Sequence, residues 1–451
     1  MLQQQASSSQ VPQLPALGYD SGQGGWITSP RVDSIYAAET KRPAFRSTRL
    51  KETDTLLSET LWTKSRFGKK ASRRNYIFFL GGIAAGLLAA AAIVVEGYLS
   101  AKNHKYCLVL EDHFDGPLDT SVWKHEIQAG GFANHEFQWT TDSTNNSFGQ
   151  IEDGHLYIVP TLTSDQLGTS AITNGYQLNL TSTCTASNPN EENCVAISDS
   201  ASGTVLPPIQ NARLTTKGTR SIKYGRVEVR AKMSKDDWTW PSIWMLPRDN
   251  VYGDWPVSGE IDIAESKGNV VKSRRGQFGN TVRSSLHFGP NTEQDHWFSA
   301  TGVSQLFRNY FNNDFYTFGL EWDDKSIWTW RGTRSRKSFE KKFDRNLWDS
   351  SHFEPATRNG SVVTNPWKTS TRADIAPFDQ DFYLILDVAV GGTNGYFADS
   401  DPSTPNKPWS NSGINPRADF WKARDSWLPT WPKDPKKRGM AVDYVKKWQQ
   451  C

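Results

Sequence analysis

The sequence predicts an all-β domain, a β-sandwich or jelly roll, preceded by a disordered tail and a single transmembrane helix. Residues 226–233 alternate strictly between polar and apolar side chains, and residues 156–159 and 383–386 are short apolar runs typical of strands. Clusters of Gly, Pro, Asn and Asp separate these segments. Strands do not alternate with long amphipathic helices, so a sandwich or jelly roll is favoured over a doubly wound parallel sheet.

The N-terminal region predicts a membrane anchor. Residues 1–75 are rich in Gln, Ser, Pro and charge and lack apolar periodicity, which is typical of a disordered tail. Residues 76–98 begin with twenty uncharged residues, enough to span a bilayer. Basic residues are concentrated before this segment, so the positive-inside rule places the N-terminus in the cytosol. We therefore expect a type II membrane protein with a short stalk, 99–106, and a lumenal or extracellular domain, 107–451.

Several long polar segments interrupt the predicted strands. Residues 180–210, 290–315, 355–378 and 396–435 are too long and too polar for turns. We expect them to be surface loops that surround a cleft or decorate the domain.

Four cysteines suit an oxidising compartment, where they could form two disulfides. Cys184 and Cys194 bracket a short polar loop and are the favoured pair. Cys107 and Cys451 stand at the two ends of the predicted domain and would join its termini if they also pair. The cysteines form no C-x-x-C pair and the eight histidines have no ligand spacing, so no zinc site is predicted.

Composition and sequons agree with a domain that is exported from the cytosol. Seventeen of the 19 Trp lie beyond residue 100, and flat aromatic rings suit sugar binding, although core packing accounts for most of them. The net charge of +3 gives no electrostatic case for nucleic acid. Glycosylation sequons occur at Asn145, Asn179 and Asn359, all beyond the predicted membrane span.

Three carboxylates fall within six residues of the segment 258–265 and are the main functional signal. Because side chains alternate in a strand, Glu260 and Asp262 would share one face while Glu265 would point away. One extra residue, a β-bulge near Ala264, would bring Glu265 back to the face of the other two. Two carboxylates about 5–5.5 Å apart are the arrangement that retaining glycoside hydrolysis uses. The alternative is an exposed edge strand protected by acidic residues.

Six short sequence segments occur in the same order as in a known family of proteins. They are 224–232, 240–247, 259–265, 286–289, 388–395 and 442–445. Together they resemble glycoside hydrolase family 16, in particular its laminarinase-like branch of endo-1,3-β-glucanases and β-1,3-glucan-recognition proteins. The resemblance covers nearly all of residues 107–451. It implies a curved jelly-roll sandwich whose concave face holds a glucan chain.

The resemblance also implies roles for the carboxylates. Glu260 corresponds to the nucleophile and Glu265 to the general acid/base. Asp262 would hold the hydrogen bond of the nucleophile and tune its charge. His287 lies on the same face of its strand as Ser285. This orientation of the strand could direct the His287 side chain at the carboxylates.

Other residues are implied as sugar contacts. Trp240, Trp244 and Trp255 resemble sugar platforms, with core packing the main alternative for Trp240. The segment 130–136 resembles a Gly-rich segment of the family through which Asn134 and Glu136 reach the sugar.

The chain departs from the expected pattern at Asp387, where we expect Asn, and an additional acid there could alter a subsite or the pH behaviour. No organic cofactor is implied. A structural Ca²⁺ occurs in some relatives, but this sequence shows no oxygen-ligand loop for it, so no metal is predicted.

The leading hypothesis is a membrane-anchored retaining hydrolase that cuts internal β-1,3 or mixed 1,3/1,4 linkages. The expected partners are a β-glucan polysaccharide and, through one helix, a membrane; the sequence carries no signal for an oligomeric state. A cell-wall glucan transglycosylase is one alternative, because the covalent intermediate can react with a sugar hydroxyl instead of water. A non-catalytic β-1,3-glucan receptor is the other, although such proteins usually lack one or both glutamates.

Overall fold

The computed structural model describes residues 66–100, 104–142, 148–186, 191–269, 278–401, 404 and 406–451. It divides after Ala101 into two compact units. Of the predicted tail, residues 1–65 lie outside the described residues, and so does the sequon at Asn145.

The first unit contains one long helix, Arg66–Ser100. Its segment Lys70–Gly97 is long and apolar enough to cross a membrane, and none of it is buried against protein. The helix begins ten residues before the predicted start at 76, because the preceding Lys, Arg and Ala residues are good helix formers. A membrane anchor and a signal sequence would both have such a helix.

The second unit is built from strands, which we number in chain order. They are β1 Tyr106–Asp112, β2 Lys124–His125, β3 Gln138–Thr140, β4 Phe148–Glu152, β5 His155–Ile158, β6 Thr161–Leu162, β7 Gln177–Asn179, β8 Val195–Ile197, β9 Ile209–Asn211, β10 Arg213–Thr215, β11 Ser221–Ile222, β12 Gly225–Lys232, β13 Thr239–Pro247, β14 Glu260–Glu265, β15 Thr281–His287, β16 Thr301–Gln305, β17 Tyr316–Trp322, β18 Ser326–Arg331, β19 Lys337–Lys342, β20 Phe382–Val390 and β21 Met440–Gln450.

Short helices occupy some of the connections. They are Phe132–Asn134, Thr163–Leu167, Thr169–Thr173, Glu191–Cys194, Thr292–Gln294, Trp297–Ser299, Leu347–Ser351, Pro416–Lys422, Arg424–Trp427, Leu428–Thr430 and Pro435–Arg438.

Two eight-stranded antiparallel sheets form the body of this unit. One has the order β19-β18-β17-β12-β21-β5-β4, with β1 also paired to β21. The other has the order β16-β15-β14-β13-β20-β10-β2, with β11 also paired to β20. Two small sheets, β3-β9-β6 and β7-β8, lie outside this pair.

The core lies between the two large sheets. Alternate residues of β12, such as Val227 and Val229, join one buried apolar cluster with Ile243 of β13, Ile261 of β14 and Leu386 of β20. This alternation leaves the other face of the second sheet for polar and aromatic side chains. The predicted jelly-roll sandwich is confirmed.

Both predicted disulfides are present. Cys107–Cys451 links the starting end of β1 to the residue after β21, and Cys184–Cys194 closes a loop beside β7 and β8.

The prediction that residues 180–210 and 396–435 form only surface loops is wrong, because the first range contains β8 and the second contains the helices Pro416–Lys422 and Arg424–Trp427. The same prediction for residues 290–315 is wrong, because they contain β16. This strand is polar and lies at the edge of its sheet, so it lacks the apolar alternation by which buried strands are recognised.

Candidate active site

A β-bulge in β14 organises the candidate site. On one side, Trp244 of β13 pairs with Asp262 and Ile243 pairs with Ala264, so that Ile263 is an extra residue on β14. The register with β15 on the other side shifts in the same place. Ile263 and Ala264 therefore both face the core, where they are 2% and 0% exposed.

The bulge places all three carboxylates of β14 on the outer face of the sheet. Asp262 pairs with Ser285, and Glu265, three residues later, pairs with Arg283 only two residues away on β15. Without the extra residue Glu265 would point into the core. Glu260, two residues before Asp262, shares its face.

A row of outward-facing side chains crosses the sheet through Glu265. Successive pairings join neighbouring strands from β10 to β16 in one register line. From β10 to β16 the line runs Arg213, Asp387, Ser242, Glu265, Arg283 and Val303.

Glu265 is buried beneath aromatic rings. The indole Nε1 of Trp240 donates a 2.8 Å hydrogen bond to its Oε1. The Trp240 ring is itself stacked on Tyr396, with 3.8 Å between centroids and 6° between planes. Burial, with the charge of Asp262, raises the pKa of Glu265 to about 8, so this carboxyl is protonated at neutral pH.

Glu260 faces the more open side of the site. Trp255, which is 40% exposed, donates its indole N–H to Glu260 Oε2 over 2.7 Å. Burial and the neighbouring Asp262 carboxylate raise the pKa of Glu260 above its usual range. The charge of His287 and the N–H of Trp255 oppose this rise, because both favour the ionised form of Glu260.

His287 supplies a positive charge beside this cluster. Its Nδ1 lies 2.6 Å from Asp295 Oδ2 and its Nε2 lies 3.2 Å from Asp262 Oδ2. Burial favours the neutral ring, but these two carboxylates outweigh it and raise the pKa of His287 well above its usual range. An imidazolium here compensates one carboxylate charge.

One group of these side chains has metal-binding spacing. One ligand atom from each of Glu260, Asp262 and His287 lies within 4.8 Å of the other two. The imidazole does not suit Ca²⁺, which takes oxygen ligands, so this group does not fit the structural Ca²⁺ of some relatives.

The Gly-rich segment lies at one end of the sheet, beside β20. Asn134 Nδ2 donates to Glu136 Oε1 over 2.9 Å, and Asn394 Nδ2 donates to Asn134 Oδ1 over 2.9 Å. Gln138 donates to the other oxygen of Glu136. Glu136 is 1% exposed, and burial together with Asp387 raises its pKa to about 7. Hydrogen bonds thus fix both the nitrogen and the oxygen of the Asn134 side-chain amide. Two side-chain amides, those of Asn134 and Gln138, hold the Glu136 carboxylate in place.

Asp387 joins the aromatic part of the site to this segment. Its Oδ1 accepts a 2.9 Å hydrogen bond from Trp244 Nε1, and burial raises the pKa of Asp387 to about 6. The Arg213 guanidinium lies 4.6 Å from the Trp244 ring centroid and 3.9 Å from that of Phe132. One face of the Trp244 indole is therefore covered by Arg213.

Comparison with known proteins shows the family of this chain. A model of glycosyl hydrolases family 16 matches residues 171–375. A β-1,3-glucan-binding protein of Penaeus monodon is 38% identical over 378 residues, 81% of this chain and 96% of that protein. The chain belongs to glycosyl hydrolase family 16.

Two other comparisons cover most of this chain. A glucan endo-1,3-β-glucosidase of Cryptopygus antarcticus is 29% identical over 340 residues, 75% of this chain and 90% of that protein. The solved laminarinase of Rhodothermus marinus is 22% identical, with a TM-score of 0.46 over 78% of this chain and all of that one.

The three carboxylates lie on one face of the sheet with His287 beside them, as the sequence predicted, but the sequence analysis missed several side chains that contact them. Arg283 lies two residues from Ser285 on the same face of β15, so the alternation that selected His287 could also have selected it. Asp295 and Tyr396 lie outside the strands, and no local pattern brings them to the site. Trp240, expected as a platform, has one ring face covered by Tyr396.

Proposed function

We propose that this family 16 protein is a membrane-anchored retaining glycoside hydrolase that cleaves internal β-1,3 linkages of glucans, including mixed 1,3/1,4 chains. The observation that carries the proposal is the bulge in β14, which brings Glu260, Asp262 and Glu265 to one face of the sheet. The raised pKa of Glu265, about 8, supplies a protonated acid at neutral pH.

In the first step Glu260 attacks the anomeric carbon while Glu265 gives its proton to the departing glycosidic oxygen. The bond from carbon to leaving oxygen breaks, and an ester bond to Glu260 forms. In the second step Glu265, now ionised, takes a proton from water, and the resulting hydroxide displaces Glu260 from the same carbon. The sugar keeps its β configuration, and both glutamates return to their starting states.

The surrounding side chains support this division of roles. The Trp255 N–H stabilises the ionised form of Glu260, as a nucleophile requires. The His287 imidazolium lies against Asp262 and lowers the cost of negative charge beside the nucleophile. Burial of Glu265 under Trp240 keeps its proton until the leaving oxygen develops charge.

The substrate class rests on the relatives and on the aromatic lining. Two similar family members carry β-1,3-glucan binding or endo-1,3-β-glucosidase activity in their names. Trp255 is exposed, and Trp244 is half-buried with one face covered by Arg213, so each could hold a sugar ring on its open face. Asn134 and Glu136 would bind hydroxyl groups farther along the chain.

The test is product analysis with the full chain in detergent micelles. Wild-type protein should release reducing ends from laminarin, and Glu260→Gln should not, while Glu340→Gln, at an exposed glutamate of the other sheet, should behave like wild type. With an activated aryl β-glucoside oligomer, Glu265→Ala plus azide should yield the β-glycosyl azide. Glu260→Ala plus azide should yield the α anomer. Reversed anomers, or an inert wild type, would contradict the proposal.

A non-catalytic glucan receptor is a second candidate, favoured by the 38% identity to the Penaeus monodon glucan-binding protein. Laminarin binding without any reducing-end release from the wild type would support it. Products longer than the substrate would instead indicate transfer to a sugar acceptor, the transglycosylase alternative.

We also propose a type II orientation, with the domain 107–451 outside the cytosol. The apolar helix Lys70–Gly97 and the exposed sequons at Asn179 and Asn359 support it. Expression in a glycosylating host tests it, because Asn179→Gln and Asn359→Gln should each remove one glycan. If neither Asn179 nor Asn359 carries a glycan, the result would argue against this orientation.

A further inference from the structure

A four-residue segment, 126–129, leads directly into the Gly-rich segment that carries Asn134 and Glu136. Along one edge the backbone of this segment is hydrogen-bonded to the body of the domain. Glu126 N donates to Arg213 O over 2.9 Å, and Thr140 N donates to Gln128 O over the same distance. This edge holds alternate residues of the segment, as in a strand.

The other edge is bonded only to the loop closed by a disulfide, in the contacts that the structure describes. Ile127 N donates to Thr185 Oγ1 over 2.8 Å, and Thr185 N donates back to Ile127 O over 2.9 Å. Ala129 N donates to Asn193 O over 2.7 Å. The backbone groups of Ile127 and Ala129 thus bond to this loop, while their side chains pack in a buried apolar cluster with Trp139.

The two bonding partners are the residues immediately inside the disulfide. Thr185 follows Cys184 and Asn193 precedes Cys194, and the Cα atoms of the two cysteines are 5.6 Å apart. The disulfide therefore fixes the separation of Thr185 and Asn193, so that together they match the spacing of Ile127 and Ala129. Backbone hydrogen bonds from Leu180 N to Cys194 O and from Cys184 N to Leu180 O also join the two sides, and the disulfide adds a covalent link that limits their relative motion.

The connection from Ala129 to the sugar contacts is short and tight. Glu136 N donates to Gly131 O over 2.8 Å, and a Cβ on Gly131 would lie 2.2 Å from Glu136 O. A turn this closely packed moves as a unit when the residue before it moves. A displacement at Ala129 would consequently reach Asn134.

We infer that the Cys184–Cys194 disulfide is a positioning device for the glucan-binding end of the cleft, acting on Asn134 and Glu136 through Ile127 and Ala129. The inference rests on the proposed function, since it assigns these two residues to sugar binding. The carboxylates on β14 make none of the contacts in this chain of bonds. The disulfide thus controls affinity for the glucan and leaves the chemical step unchanged.

The test compares two double variants of the full chain in detergent. Cys184→Ala/Cys194→Ala removes the positioning disulfide, and Cys107→Ala/Cys451→Ala removes the other disulfide as the matched control. For hydrolysis of a β-1,3-linked glucose hexamer, the first should raise KM about three- to tenfold, the effect of losing roughly one hydrogen bond, with kcat within about twofold. The control should leave both constants near wild type. An unchanged KM, an equal rise in both variants, or a fall in kcat matching the rise in KM would overturn the inference.

Two further measurements keep the result decisive. Thr185→Val removes one hydrogen-bonding oxygen and leaves the disulfide intact, so it should raise KM by a smaller factor even if the double variant fails to fold. Calorimetric titration of the hexamer into Glu260→Gln protein, with and without the positioning disulfide, reports affinity without turnover. If the wild type never cleaves glucan but binds it, weaker binding without the disulfide supports the inference, and equal binding refutes it.

Discussion

Replacing Trp240 by Phe should move the alkaline limb of the pH–rate profile upward. The indole N–H donates to Glu265 Oε1 at 2.8 Å and so favours the ionised carboxylate, which lowers its pKa. Phe lacks the donor but retains a ring that can stack on Tyr396. Without the donor, the pKa of Glu265 should rise from about 8.

The size of the shift follows from the strength of the lost bond. A hydrogen bond to a charged group contributes about 1.5–3 kcal/mol, and about 1.4 kcal/mol corresponds to one pKa unit. The pKa of Glu265 should therefore rise by about one to two units. Because the general acid must be protonated, activity that wild type loses above pH 8 should persist to higher pH in Trp240→Phe.

The assay is release of reducing ends from laminarin between pH 5 and pH 11, with kcat/KM reporting the free protein. Glu265→Gln should abolish the alkaline limb and lower kcat by about 10²–10⁴-fold. Trp427→Phe is the matched control, since its indole N–H donates to the Phe420 carbonyl rather than to a carboxylate. An alkaline limb of Trp240→Phe at or below the wild-type position would refute the reasoning.

Three other substitutions test separate parts of the structure. Trp255→Phe removes the 2.7 Å hydrogen bond to Glu260, so the pKa of Glu260 should rise. The acid limb of the kcat/KM profile should then move to higher pH, and an acid limb at the wild-type position would argue against this contact. In a Glu260→Gln background that does not cleave the hexamer, Asp387→Asn removes a charge that helps raise the pKa of Glu136 to about 7. The pH midpoint of hexamer binding by calorimetry should therefore fall, and a constant midpoint would contradict this expectation. Lys447 is fully buried and burial lowers its pKa to about 7, so its folded form binds fewer protons than the unfolded chain between pH 7 and 10. The free energy of unfolding of wild type relative to Lys447→Met should then rise by up to about 1.4 kcal/mol per pH unit across that range, measured by urea denaturation, and a flat difference would show that Lys447 titrates normally.

The sequence predicted the centre of the site because its information is local. Ile261 and Ile263 mark the buried face of β14, and the spacing from Glu260 to Glu265 requires one extra residue for the carboxylates to meet. These facts predict the bulge only if the carboxylates meet, and the family resemblance supplied that condition.

The residues that hold the site residues in place come from distant parts of the sequence, so no local pattern predicts them. Tyr396 reaches Trp240 from a loop more than 150 residues away in sequence, and Asp295 reaches His287 from the segment after β15. Their placement depends on how the sheets and loops pack. The same limit explains β16, whose polar residues form a strand because β15 offers it a free edge.

The Cys107–Cys451 bond has a mechanical consequence. It joins the first residues of β1 to the end of the last strand, and Cys451 N also donates to Lys105 O over 3.0 Å. Tension applied to the chain before Lys105 would therefore be carried across a covalent ring rather than by peeling β1 from β21. The sheet that contains β1 and β21 would therefore resist force applied at this end of the domain without losing its terminal strand pairing.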